Sequence, residues 1–196
     1  MSDDYDKPWT VLESSYAMRD EWLVIRSDKV RLPTGRILDA YHTMEGPDWV
    51  SALAITEDQD IVLVEQYRHP IGRTIVELPA GAVDARDASP LVAAKRELRE
   101  ETGYESDEWN MIGSCAANPA RQTNASFGFL ALGARKLGQP RPEDTEFIRT
   151  ILVPLEEFRL RLEAGTLELP AYHICCLWWL RHFARASGDA RLAAWR

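Results

Sequence analysis

The chain has 196 residues, 31 acidic and 23 basic, for a formal net charge of −8. That length suits one large domain, or one domain with an N-terminal extension, and 45% apolar with 28% charged residues is an ordinary globular balance. The acidic balance excludes the basic stripe with which a nucleic-acid binder meets phosphates. The longest apolar-looking run, Tyr172 to Leu180, is far short of the ~20 residues that cross a bilayer. Met1-Ser-Asp-Asp-Tyr-Asp is acidic and leads into no apolar stretch, so no secretory leader is expected. Cys115, Cys175 and Cys176 make no disulfide framework. The expectation is a reduced, cytoplasmic, soluble protein without nucleic acid or membrane as partner. A small anionic ligand stays open, because a bound divalent cation inverts the local field.

The N-terminal third reads as strands. Trp22-Leu-Val-Ile-Arg and Gly35-Arg-Ile-Leu-Asp-Ala-Tyr-His flank the turn Leu32-Pro-Thr-Gly and predict a hairpin. A second hairpin is predicted from 48–56 and 61–68 around the polar turn Glu57-Asp-Gln-Asp, followed by a short strand over 74–78. Ser89 is placed to cap a helix and Pro90 to open it, where a missing N–H costs nothing. Leu91, Ala94, Leu98 and Thr102 recur at helical spacing, and Gly103 ends the helix. Strands are expected at 109–114, 127–132 and 147–153, then helices over 155–164 and about 171–186. This order predicts an α+β fold with a mixed sheet, the helix inserted among the strands.

The informative stretch is Arg96-Glu-Leu-Arg-Glu-Glu-Thr-Gly103. On a helix Glu97 and Glu101 share one face at i, i+4, with Glu100 beside them. Lys95, Arg96 and Arg99 are interleaved, so the charges alone favour a solvated mixed-charge face. Clustered carboxylates also suit hard cations such as Mg2+, which retain waters for a phosphate substrate.

Glu77-Leu-Pro-Ala-Gly81, a spacer, and then Arg96, Glu97, Leu98, Glu100, Glu101, Gly103 and Tyr104 resemble the Nudix box. Gln66-Tyr-Arg68 ahead of it and Asn118-Pro-Ala-Arg-Gln-Thr-Asn124 behind it resemble the branch that hydrolyses ADP-ribose and nucleoside diphosphate sugars. So does the acidic loop Glu143-Asp-Thr-Glu146 with the strand that follows. The resemblance implies an α/β/α sandwich over 47–196 and an antiparallel β extension over 1–46 that pairs two copies into a homodimer. It further implies Mg2+- or Mn2+-dependent hydrolysis of a small nucleoside diphosphate derivative, ADP-ribose giving AMP and ribose 5-phosphate.

Residue by residue, the resemblance implies that the Ala80 carbonyl, Glu97 and Glu101 ligate metal, and that Glu100 holds a second ion or anchors Arg96. Glu146 is implied as general base, with Asp144 as helper or alternative. Arg68 would hold a phosphate, Glu77 would shape the substrate side, and Pro119 would mark the substrate. Gly81, Arg96 and Gly103 are the structural positions of the box. One departure stands out: from Gly81 to Arg96 there is one residue more than the pattern allows. The first Glu of the pattern therefore falls on Asp87 counted from the left and on Ala88 counted from the right. A bulged loop is expected, with activity retained.

Other residues read as packing. His173, Cys175, Cys176 and His182 lack a second ligand pair at metal spacing and are assigned to the core. Trp178 and Trp179 are assigned to core or interface, and Trp49, which opens a strand, stays open. Two rival functions remain, a Nudix enzyme for another diphosphate such as GDP-mannose, and a non-enzymatic nucleotide sensor. The sensor has no need of Glu97, Glu100 and Glu101 together.

Overall fold

Two hairpins and a capped helix set the frame in a computed structural model that describes residues 7–142 and 145–196. The described residues fall into two compact units, 7–47 with 116–124, and 48–115 with 125–142 and 145–196.

The first unit is a three-stranded antiparallel sheet of β1 (Thr10–Arg19), β2 (Val24–Arg31) and β3 (Ile37–Glu45), in that order. The β2–β3 hairpin closes where expected, with the Gly35 N–H donating to the Leu32 carbonyl at 2.9 Å and Gly35 at φ 84°, a value that favours glycine. Strand β1 was not foreseen as an element of its own. All ten of its residues are exposed, so they carry no inside–outside alternation, and pairing with β2 is what defines it. The segment Ala116–Asn124 joins this unit through β3: the Met44 N–H donates to the Arg121 carbonyl, and the Tyr41 hydroxyl to the Ala120 carbonyl, both at 2.7 Å.

The second unit is built on an eight-stranded mixed sheet. Its spine runs β11 (Ile148–Pro154), β5 (Asp60–Arg68), β4 (Trp49–Thr56), β10 (Ala125–Lys136) and β8 (Tyr104–Glu105). Strands β6 (Arg73–Glu77), β7 (Ala80–Ala82) and β9 (Glu108–Ala116) pair with β5, β4 and β10. Most pairs are antiparallel, but β10 runs parallel to β4. Successive side chains of a strand face opposite sides, and both sides are apolar here. Ala52, Ala54, Val62 and Ala131 pack with Leu98 of α1 (Pro90–Thr102). Leu53, Ile55, Ile61, Leu63, Leu130 and Leu132 pack with Phe158 of α2 (Leu155–Glu163) and with Leu177 and Leu180 of α3 (Ala171–Ser187). The result is the α/β/α sandwich and mixed sheet expected from the sequence.

Helix α1 begins and ends as its local chemistry dictates. The Ser89 side chain accepts from the Val92 N–H, Pro90 occupies the first turn, and Gly103 at φ 73° stops the helix. On α3, Trp179 lies on two glycines, and a β-carbon on Gly113 or Gly128 would come within 2.4 or 2.9 Å of its ring. His173 and Cys176 are buried as expected, whereas His182 is exposed, so its assignment to the core is corrected: it faces outward from α3. Trp178 also stands 69% exposed.

Candidate active site

The acidic face of α1 is not a solvated face. Lys95 and Arg99 are exposed, while Glu97 and Glu101 are buried beside Ala94 and Leu98. Burial of carboxylates demands partners. The Ala80 N–H donates to Glu101 Oε2 at 3.0 Å, and Arg96 donates to Glu97 Oε1 at 2.8 Å and to Glu100 Oε2 at 3.1 Å. Burial pushes the Glu97 carboxyl above its usual range, opposed by Arg96 and reinforced by Glu146 and Glu100. Burial pushes Glu101 higher still, with Glu97 and Glu146 adding to it and the Ala80 N–H and Arg68 opposing. Carboxylates crowded in this way favour a cation between them.

Strand β7 brings the backbone against this face. Ala80 and Gly81 pair with Ser51 and Val50 of β4. A β-carbon on Gly81 would stand 2.2 Å from Glu97 Oε1, so only glycine leaves the carboxylate its position.

The extra residue of the box is absorbed between Asp84 and Asp87. The Asp87 N–H donates to the Asp84 carbonyl at 2.9 Å, and the Asp84 N–H to the Asp87 carboxylate at 2.9 Å. This turn delivers Asp87 to Arg96, which donates to it from Nε at 3.2 Å and from NH2 at 2.9 Å. Arg96 also reaches the Ala82 carbonyl at 3.0 Å. The ambiguity between Asp87 and Ala88 resolves to Asp87, whose carboxylate ties the loop to the helix.

A cavity of about 280 Å3 adjoins these groups, lined by Trp49, Val50, Arg68, Ala80, Gly81, Ala82, Glu146 and Tyr172. Arg68, at the end of β5, donates from Nε to Glu77 Oε2 at 2.6 Å, and Glu77 on β6 is buried. One edge of the guanidinium is thereby held, leaving the other for a ligand. Trp49 and Tyr172 stack obliquely, ring centroids 5.6 Å apart at 50°. Burial raises the Tyr172 hydroxyl to about 12. Behind Tyr172, His173 is fully buried, its pKa pushed down to about 3 by burial first and by Arg68 second, and its Nδ1 accepts from the Leu78 N–H at 3.4 Å.

Ala80, Gly81, Arg68 and Glu146 thus line one cavity, with Glu97 and Glu101 electrostatically coupled to Glu146 and Glu77 bonded to Arg68. Glu100 faces Arg96, and Gly103 ends α1. Pro119 lies exposed in the first unit, on a turn where the Gln122 N–H donates to the Asn118 carbonyl at 2.7 Å. Asp144 and Glu143 lie outside the described residues. Tyr172 was missed: it sits inside an apolar run, with no local signal of a site. Among the described residues no three His, Cys, Asp or Glu side chains converge closely enough to hold an ion unaided. Glu97 and Glu101 with the Ala80 carbonyl could supply part of a hard-cation shell, the remainder coming from water and phosphate oxygens.

The fold and the acidic helix define a hydrolase of the Nudix type, and the chain belongs to the Nudix family: a family model described as NUDIX domain matches residues 47–172. A second, described as Nucleoside diphosphate sugar hydrolase N-terminal domain, matches residues 9–44. The chain is 33% identical over 142 residues to an ADP-ribose pyrophosphatase of Mycobacterium tuberculosis, covering 72% of this chain and 68% of that one. It is 34% identical over 131 residues to an ADP-ribose pyrophosphatase of Bacillus subtilis (66% and 70% covered). It is 35% identical over 134 residues to the methanol dehydrogenase activator of Bacillus methanolicus (68% and 71% covered). A crystal structure of an ADP compounds hydrolase superposes with a TM-score of 0.80 at 19% identity, covering 93% of this chain and 97% of that one, a likeness of fold.

Proposed function

We propose that this chain hydrolyses the diphosphate of ADP-ribose or a related nucleoside diphosphate sugar, ADP-ribose giving AMP and ribose 5-phosphate. The observation that carries this reading is one cavity lined by Arg68, Glu146 and the Ala80–Gly81 backbone, with Glu97 and Glu101 in electrostatic range of Glu146. Relatives named as ADP-ribose pyrophosphatases support the choice of substrate.

Glu97, Glu101 and the Ala80 carbonyl would hold Mg2+ or Mn2+, which neutralises phosphate charge and acidifies a bound water. Glu146 accepts the proton as water attacks one phosphorus and the bridging P–O bond breaks, the departing phosphate leaving with the bridging oxygen. Arg68 steadies a phosphate with the guanidinium edge that Glu77 does not occupy. Glu100 holds Arg96 in place, and Asp144 assists Glu146. Pro119 belongs to the substrate side. The N-terminal sheet pairs two copies, and the protein works in the cytoplasm. No helix among the described residues is long and apolar enough to cross a membrane.

The test is hydrolysis of ADP-ribose, GDP-mannose, NADH and other sugar nucleotides with added Mg2+, Mn2+ or chelator. ADP-ribose or another sugar nucleotide is expected to be cleaved only with metal. Glu101→Gln, which keeps an acceptor for the Ala80 N–H while losing the charge, is expected to cut turnover by several orders of magnitude without unfolding. Metal-independent turnover, or a wild-type rate in Glu101→Gln, overturns the reading.

A further inference from the structure

Two of the three cysteines, 60 positions apart in the chain, meet where α3 crosses β9. Trp179 of α3 lies on Gly113 of β9, so closely that a β-carbon there would stand 2.4 Å from the ring. Cys115 is two positions further along β9, on the same side of the strand as Gly113. Cys175 is one helical turn before Trp179, at i−4 on the same face of α3. The seat of Trp179 on Gly113 therefore sets Cys115 opposite Cys175, and their two thiols lie in hydrogen-bond contact. Both residues keep partial exposure, so a small reagent reaches them.

Cys176 does not share this arrangement. It points about 100° around the helix from Cys175, onto the sheet, where a β-carbon on Gly128 would stand 2.9 Å from its Sγ. It is fully buried, and burial above all pushes its thiol up to about 12. A bond between the neighbours Cys175 and Cys176 would need both sulfurs on one side of a helix that holds them apart.

We propose that Cys115 and Cys175 form a reversible disulfide when the protein meets a peroxide, a covalent tie between β9 and the second turn of α3. One thiolate attacks a peroxide oxygen, the O–O bond breaks and hydroxide leaves, giving a sulfenic acid. The other thiol attacks the sulfenic sulfur, the S–S bond forms, the S–O bond breaks, and the oxygen departs as water. Across both steps two thiols give up two protons and two electrons, and one hydrogen peroxide becomes two waters. Sulfurs already in contact have little distance to close to the bond length of about 2.05 Å. A partner thiol so near captures the sulfenic acid before it oxidises further. An added dithiol reverses the bond by exchange. Neither cysteine lines the hydrolytic cavity, so this chemistry is independent of the diphosphate reaction.

The test treats the full-length protein, first reduced and freed of reductant, with hydrogen peroxide under native conditions. Remaining thiols are then blocked with iodoacetamide in urea, and the peptides are mapped by mass spectrometry beside a non-reducing gel. Of the three thiols, two are expected to disappear together, with the peptide carrying Cys115 joined to the one carrying Cys175 and Cys176 within a single chain. All three are expected to return with dithiothreitol. Cys176→Ala is expected to keep the link and Cys175→Ser to abolish it. The wild-type map decides the matter whether or not a variant folds. Three free thiols after peroxide that fully oxidises a free cysteine peptide would overturn the proposal. So would sulfinic acid on Cys115 or Cys175 without a link, or a link that joins only separate chains. A link lost in Cys176→Ala and kept in Cys175→Ser would overturn it too, because Cys176 would then be the partner.

Discussion

Gly81 and Glu97 are in mutual contact across the loop and the helix of the box: a β-carbon on Gly81 would fall 2.2 Å from Oε1 and 2.3 Å from Cδ of Glu97. The obstacle is the tip of a side chain, not backbone, so Gly81→Ala has room to fold if the carboxylate moves. The variant is expected to melt within a few degrees of the wild type and to lose about a hundredfold in kcat, the scale of an ångström-sized misplacement of a reacting group. Steady-state kinetics beside a thermal melt check both. An early melt with unchanged kcat per folded molecule would show that the glycine serves packing instead.

Glu146→Gln keeps the shape of the side chain and removes its ability to take a proton. The expected outcome is a loss of most of kcat, with KM and the metal concentration for half-activation within about twofold of the wild type. Asp144→Asn is expected to be clearly milder. The reverse ranking transfers the base role to Asp144, and wild-type rates in both move it to the helix.

Asp87 is held below the usual carboxylate range by the hydrogen bonds from Arg96 first, with the Asp84 N–H and the nearby arginine charges assisting against burial. A lowered native pKa contributes stability that is complete above the unfolded value of about 4 and is lost as pH falls through the lowered one. Asp87→Asn is expected to cost about 1–2 kcal/mol at pH 7, because Arg96 keeps Glu97 and Glu100 as partners. Urea denaturation at pH 7 and at successively lower pH checks this. The two proteins should converge in stability as Asp87 protonates, and a constant gap at all pH values would assign the cost to shape.

Strand β1 exposes Val11, Tyr16 and Met18, and Trp22 beyond it is 79% exposed. If the N-terminal sheet pairs two copies as proposed, these exposed apolar side chains are the ones a second copy would cover. Light scattering at micromolar concentration is expected to give twice the chain mass of 22.3 kDa. Met18→Glu is expected to shift the equilibrium toward single chains. A lone 22.3 kDa species in the wild type would remove the dimer.

What was legible in the sequence was everything set by neighbours along the chain. Ser89, Pro90 and Gly103 bound α1 through caps and backbone angles, and the Leu32–Gly35 and Glu57–Asp60 turns close both hairpins, because a turn or a cap is a matter of a few consecutive residues. The i, i+4 spacing places Glu97 and Glu101 on one face, but it was the resemblance to the Nudix box, not the spacing, that named them as ligands. Their burial was not legible, because interleaved Lys95 and Arg99 disguise that face, and only packing of α1 on the sheet decides which side meets water. Asp87 and Ala88 could not be told apart by counting; the turn at Asp84 and the reach of Arg96 chose Asp87. Strands β7 and β8, three and two residues long, exist through partners on other strands and carry no period of their own. Trp49 and Tyr172 lie 123 positions apart, and no local pattern connects them. The sheet places one at the start of β4, the packing of α3 over that sheet places the other, and the wall they form is a product of tertiary structure alone.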